Sequence, residues 1–151
     1  MFVRTLLKTI HLLAIAVFFG SIAAYIFFGA ILPEDDLRAL TLNREWVAAG
    51  TAWLTLPAMW LAGLSGILLS GKPKATWLWI KVAGFVLIAL NAQLMVYPAI
   101  LLSLETVSNA NQIFDDAMLR EAVFGAFNLL LILTLVVVAV KKPFRRSRPT
   151  A

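Results

Sequence analysis

Two ionisable side chains, His11 and Lys81, lie inside otherwise apolar stretches of the sequence. Burying either group in a bilayer is costly, so ionisable residues within membrane spans are candidates for a functional role. A neutral imidazole nitrogen can ligate haem iron or carry a proton near neutral pH. An ammonium group can pair with an anion such as a propionate, which makes Lys81 the candidate catalytic residue as well. The alternatives are an interfacial hydrogen bond for His11 and snorkelling to the headgroups for Lys81.

The elements that position these residues are long apolar blocks. The chain is 62% hydrophobic and 14% charged, whereas soluble proteins are about half apolar and a quarter charged. Four blocks, at about 8–32, 46–70, 75–102 and 120–140, are each long enough to cross a bilayer as a helix. No alternating strands of about ten residues are present, so helices are the expected spanning structure. The sequence therefore predicts an all-α fold, a four-transmembrane-helix bundle forming one domain over residues 1–151.

The charges at the ends of these blocks predict the orientation of the chain. Nine of the thirteen basic residues fall on one side: Arg4, Lys8, Lys72, Lys74, Lys141, Lys142, Arg145, Arg146 and Arg148. The opposite side carries all eight acidic residues. By the positive-inside rule, both termini are expected in the cytoplasm. The net charge of +5 is explained by this topology and by contact with lipid headgroups, so nucleic-acid binding is not expected.

With this orientation, His11 and Lys81 lie at a similar depth. Each is six or seven residues inside its helix from the cytoplasmic end, or roughly 10 Å at 1.5 Å per residue. Gly84 lies close to the face of Lys81, where a glycine leaves room for a flat ligand or for another helix. We therefore expect His11, Lys81 and Gly84 to form a cofactor site, with His11 as the metal ligand.

Other polar residues have simpler explanations. Asn91 and Asn128 fall near the middle of the third and fourth spans, where they are expected to hydrogen-bond each other or a water. Arg44, Arg120 and Glu121 edge the outer face and could form an ion network that contributes little. The chain has no cysteine, and it shows no catalytic carboxylate pair, phosphate-binding loop, nucleophile elbow or zinc motif. Hydrolysis and nucleotide chemistry are not indicated.

Three segments carry a family resemblance. The segment His11-Leu-Leu-Ala-Ile-Ala-Val-Phe-Phe-Gly20, the third-span start Trp77-Leu-Trp-Ile-Lys81 and the ending Val136-Val-Val-Ala-Val-Lys-Lys-Pro-Phe144 resemble the copper-resistance protein D (CopD) superfamily. This superfamily of small bacterial membrane bundles includes the HemJ-type protoporphyrinogen oxidases and uncharacterised relatives.

The HemJ-type resemblance implies haem b, a membrane oxidoreductase that oxidises protoporphyrinogen, and His11 and Lys81 as the matching pair of essential residues. It also implies the bacterial inner membrane. Two departures favour the uncharacterised relatives over the oxidase: Ala24-Tyr-Ile-Phe-Phe-Gly-Ala-Ile-Leu-Pro33 replaces an expected Leu-Pro-Arg-Leu-Phe signature, and Phe18 stands where tryptophan is usual.

Three hypotheses follow for the function. The first is a haem-associated redox or electron-transfer protein with an unknown redox partner. The second is a metal-handling or transport bundle of the copper-resistance type, against which the absence of cysteine counts. The third is a non-catalytic accessory subunit. Because His11 is the only histidine, one chain cannot provide bis-histidine haem ligation, and haem would need either a homodimer or a different second ligand.

Overall fold

The computed structural model describes residues 2–33, 36–70, 76–109 and 112–141, and for residues 76 and 77 only the backbone. All secondary structure in this part of the chain is helical, which confirms the predicted all-α fold. The first helix is α1 (Phe2–Ile31) and the fourth is α6 (Gln112–Lys141). The second runs through α2 (Leu37–Gly50), a π-helical segment π1 (Thr51–Thr55) and α3 (Leu56–Ser70). The third runs through α4 (Thr76–Asn91), a second π-helical segment π2 (Ala92–Val96), α5 (Tyr97–Thr106) and a closing 3₁₀ turn (Val107–Asn109).

Each of the four helices is long and apolar enough to cross a membrane. The helices extend beyond the predicted spans, most clearly at the second, which begins at Leu37 instead of near residue 46. Asp36 fixes this start, because its carboxylate accepts hydrogen bonds from the backbone N–H groups of Arg38 and Ala39, both at 3.0 Å. Such a cap satisfies donors that the first turn leaves unpaired.

Part of the orientation argument concerns residues outside the described ranges. These are the basic residues Lys72, Lys74, Lys142, Arg145, Arg146 and Arg148, the acidic residues Glu34 and Asp35, and the predicted start of the third span at residue 75.

The two π-helical segments each precede a proline, and this explains them. Proline inside a helix lacks an N–H donor and its ring collides with the carbonyl four residues earlier. Pro57 follows π1 by two residues, and Pro98 follows π2 by two residues. At each site the backbone widens to a bond over five residues, from Leu56 N–H to the Thr51 carbonyl and from Tyr97 N–H to the Ala92 carbonyl. The helices therefore pass through both prolines without ending.

The helices pack as two antiparallel pairs. The first helix packs mainly on α3, and the fourth packs on α4 and α5, while the second and third helices join the pairs. The first and fourth helices make little direct contact. A small apolar core, including Phe18, Met59, Ile88 and Ile132, fills the centre. Space remains between the pairs on either side of this core.

The exterior of the described helices is largely apolar, and several polar side chains are buried beside the apolar core. Buried polar residues are Ser21, Asn43, Arg44, Thr51, Thr55, Ser65, Asn91, Ser103 and Asn128, whereas exposed side chains on all four helices are largely leucine, isoleucine, valine and aromatic. This distribution suits a lipid environment, in which an apolar exterior has no cost and polar groups must find partners within the protein.

Candidate functional site

The inner cavity, as we call the space around His11 and Lys81, brings the two sequence-predicted residues together. It has a volume of about 230 Å³ and is lined by residues from all four helices. His11 and Ile15 come from α1, Gly66 from α3 and Lys81 from α4. The structure therefore brings both residues to one cavity.

Hydrogen bonds fix the orientation of the His11 ring. Its Nδ1 lies 2.9 Å from the backbone carbonyl oxygen of Ala62 and 3.1 Å from Ser65 Oγ. A carbonyl oxygen can only accept, so the network assigns the proton to Nδ1. In the neutral ring, Nε2 then carries the free lone pair. Metal-binding histidines usually have this arrangement, in which a backbone carbonyl holds the other ring nitrogen.

Two glycines of α3, in the second helix, allow the first and third helices to pack closely against it. A methyl group on Gly66 would lie 2.9 Å from His11 Cε1, closer than real Cβ contacts occur. A methyl group on Gly63 would overlap the tip of the Phe85 ring. Phe85 is in turn packed edge-on against Trp60, with ring centroids 5.5 Å apart. The glycines are therefore required by neighbouring rings.

Gly84, the third predicted site residue, faces a helix. A methyl group there would lie 2.5 Å from a terminal carbon of Leu135 on α6, and Gly84 is absent from the described lining of the inner cavity. Of the two uses expected for a glycine at this position, the structure shows close helix packing.

The outer cavity lies on the other side of the central core. Its volume is about 420 Å³, and its lining includes Tyr25, Arg44, Thr51, Thr55, Glu121 and Asn128. Residues of both π-helical segments contribute to its wall. Phe18 lines both cavities and separates them.

A buried ion pair forms part of this outer wall. Arg44 Nη1 donates to Glu121 Oε2 at 2.6 Å, and the two side chains are only 4% and 21% exposed. Nη1 also lies 3.3 Å from Ser103 Oγ, and Nη2 donates to Asn43 Oδ1 at 3.1 Å. The Nε–H group is buried and has no hydrogen-bond partner among the residues that the structure describes. The expected pairing of Arg44 with Glu121 is present, but it is inside the bundle and not at its exposed edge.

Sequence reasoning missed the outer cavity, although two signals were available. Pro57 and Pro98 interrupt the second and third spans, and π-helical turns in helices are frequent at functional sites. The second signal is Asp36, a good N-cap that extends the second helix to Leu37 and so places Arg44 two turns inside it. The first apolar residue of a span is a poor guide to where its helix begins.

The predicted bond between the mid-span asparagines is confirmed. Asn91 Nδ2 donates to Asn128 Oδ1 at 2.8 Å and lies 2.9 Å from the Phe124 carbonyl. These bonds join the third and fourth helices and satisfy amides that would be costly to leave unpaired in lipid.

Comparison with known proteins gives no further assignment. Neither the protein-family models, nor the curated proteins, nor the solved structures contain a match to this chain.

Proposed function

We propose that the chain is a membrane haem-binding protein in which His11 Nε2 ligates the iron and which takes part in electron transfer. The observation that carries this proposal is the bond from His11 Nδ1–H to the Ala62 carbonyl. In the neutral ring this bond places the free lone pair on Nε2, and it holds the ring in one orientation; a ligating histidine needs both properties.

Lys81 supports the proposal through charge. It lines the same cavity as His11, and the described lining of that cavity contains no carboxylate. An anionic group such as a haem propionate would therefore meet an ammonium group and no repelling acid. Pairing with a buried anion is favourable only where the charge is compensated in this way.

The donor set favours haem over a simple metal ion. Within the described ranges no group of three or more histidine, cysteine, aspartate or glutamate side chains could hold a metal. Haem needs fewer protein donors, because its porphyrin supplies four nitrogens and the protein supplies an axial ligand. A copper site built from such side chains would need several of them close together, and the described residues of one chain do not provide such a group.

The size of the cavity sets a condition on binding. Its 230 Å³ is below the roughly 300–1,000 Å³ of typical ligand pockets. The first and fourth helices both line the cavity and make little direct contact. A haem macrocycle would therefore enlarge the cavity by moving these two helices apart, with little loss of helix packing. Haem would supply one-electron redox chemistry, while the chain positions it, excludes water with apolar side chains and balances its charge.

The topology of the proposed protein follows the charge rule, with both termini in the cytoplasm of a bacterium and the haem in the inner half of the membrane. In a homodimer, His11 of both protomers would hold the iron, and a bis-histidine spectrum together with a dimeric mass would support that state. If the protein is an enzyme, the resemblance favours a membrane oxidoreductase similar to protoporphyrinogen oxidase.

The deciding experiment is the visible spectrum of protein purified in mild detergent after haem-supplemented expression. We expect a Soret band at about one haem per chain or per dimer in the wild type and its loss in His11→Gly. Adding imidazole to His11→Gly should restore the band, because the free ligand replaces the missing ring. A wild-type protein that is folded but colourless would overturn the proposal and favour the accessory role.

Lys81→Met tests the charge partner separately. It should weaken haem retention about tenfold, the effect of losing ~1.4 kcal/mol, and leave the iron spectrum unchanged because the axial ligand remains. Lys81→Arg is the matched control, since it retains the positive charge, and should bind haem nearly as well as the wild type. Equal retention by Lys81→Met and the wild type would exclude Lys81 from the site.

Gly66→Ala tests the positioning of the His11 ring. The added methyl group would lie 2.9 Å from His11 Cε1, so the ring must move off its Ala62 bond. We expect a shifted Soret maximum and a several-fold weaker haem affinity, with the protein still folded. Gly20→Ala on α1 is the control, since a methyl group there meets nothing within 4 Å. An unchanged spectrum in Gly66→Ala would show that the Ala62 bond does not orient the ligand.

A further inference from the structure

The outer cavity has the features of a ligand site that the haem proposal does not use. Its volume of about 420 Å³ lies within the range of small-molecule pockets, and its wall is mostly apolar with a few polar groups that converge. The two π-helical segments, which are on different helices, both contribute to this wall. Their meeting at one cavity is a second indication of a site.

The polar groups of the cavity leave hydrogen-bonding capacity unused. The Thr51 hydroxyl is on the wall, and no hydrogen bond links it to a residue that the structure describes. The Nε–H group of Arg44 is also buried, and it has no hydrogen-bond partner among the described residues. Thr55 Oγ lies 2.9 Å from Ser21 Oγ and 3.3 Å from the Tyr25 hydroxyl. Buried donors without partners are rare in native proteins and are usually met by a water or a ligand.

The charge of the wall indicates what kind of ligand fits. Arg44 is already neutralised by Glu121 at 2.6 Å, and these are the only charged side chains on the described wall. An anionic ligand would therefore leave the site with a net negative charge in the membrane interior, which is costly. A neutral carbonyl oxygen accepts hydrogen bonds without adding charge.

We propose that the outer cavity binds a neutral, lipid-soluble molecule through a carbonyl group, with the Thr51 hydroxyl and the Arg44 guanidinium as donors. Two membrane molecules share this chemistry, a quinone and a glycerolipid ester. The proposal is independent of haem, because the ligand is held by residues of the outer cavity and His11 lines only the inner one.

The test uses a cavity-filling variant. Gly125 lines the outer cavity, and a methyl group there would meet nothing within 4 Å. Gly125→Leu should therefore place a branched apolar side chain in the cavity without removing any polar group. The matched control is Gly20→Leu, which has equally open surroundings and lies outside the described lining of both cavities.

Binding is measured by native mass spectrometry of the detergent-solubilised protein with four probes at equal concentration. Decylubiquinone and dioctanoylglycerol carry neutral carbonyls, decanoate is anionic, and decylbenzene has no carbonyl. We expect saturable binding of a carbonyl probe, with one molecule bound per chain. The carbonyl probe that binds more tightly shows whether the natural ligand is a quinone or a glycerolipid ester. Gly125→Leu should weaken this binding at least about tenfold, while Gly20→Leu stays within about twofold.

Thr51→Val tests the polar contact in a side chain of nearly the same shape. Loss of one hydrogen bond should weaken the carbonyl probe roughly two- to tenfold and leave decylbenzene unaffected. Tighter binding of decanoate than of either carbonyl probe would overturn the neutral-ligand assignment. Three results would contradict a binding site in the outer cavity. These are decylbenzene binding as tightly as the carbonyl probes, binding of all probes without saturation, and wild-type affinity for the carbonyl probe in Gly125→Leu.

Discussion

Glu121→Leu should destabilise the protein by about 3–5 kcal/mol, the usual result of removing one partner of a buried ion pair. Arg44 is 4% exposed, and a guanidinium cannot lose its proton to avoid an uncompensated charge. Its remaining hydrogen bonds, to Ser103, Asn43 and the Met118 sulfur, are to neutral groups and do not neutralise it. The measurement is the unfolding curve of purified protein in mixed micelles of increasing SDS fraction.

The double variant Arg44→Leu/Glu121→Leu is the decisive control. It removes both charges, and replacement of a whole buried pair by apolar residues is often neutral or stabilising. We therefore expect the double variant to be more stable than Glu121→Leu alone, with a coupling free energy above about 1 kcal/mol. If the double variant loses as much stability as Glu121→Leu and Arg44→Leu together, the two side chains are not coupled in the folded protein.

Gly63→Ala should be the most disruptive of the single-methyl changes, with a loss of about 1–3 kcal/mol as expected for overpacking. The methyl group would overlap the tip of the Phe85 ring, and Trp60 packs against that ring at 5.5 Å. The ring therefore cannot move without displacing a second aromatic side chain. The same SDS unfolding measurement applies.

Two variants show whether this clash is the cause. Gly63→Ala/Phe85→Leu removes the tip of the ring and should recover most of the lost stability. Gly20→Ala, whose added methyl group meets nothing within 4 Å, should leave stability nearly unchanged. If Gly63→Ala is as stable as Gly20→Ala, the contact between α3 and α4 is looser than the structure has it.

The helical fold was predictable because it depends on composition and on the length of apolar blocks, both of which are local. The bond between Asn91 and Asn128 was predictable for a related reason, since two amides at mid-span have few partners other than each other. That His11 and Lys81 line one cavity agrees with the count of residues from the predicted end of each helix. Each of these inferences uses only position along a helix.

Contacts that depend on rotation about a helix axis were not predictable. The partner of the His11 ring is a backbone carbonyl, at Ala62, and no side-chain pattern marks it. Gly84 was compatible with a ligand or with a helix until the structure placed Leu135 against it. Arg44 was assigned to the outer edge because it stands before the apolar block, whereas the N-cap at Asp36 starts the helix earlier.

The Arg44–Glu121 pair has a consequence for the biogenesis of the protein. Arg44 belongs to the hairpin of the first two helices and Glu121 to the hairpin of the last two, and each hairpin packs chiefly within itself. Until the second hairpin packs against it, the first hairpin lacks Glu121, the acid with which Arg44 pairs in the folded protein. Lateral docking of the second hairpin supplies that partner. The ion pair therefore forms only when the two hairpins have packed together, and a truncated or mispaired second hairpin would leave Arg44 without its carboxylate partner.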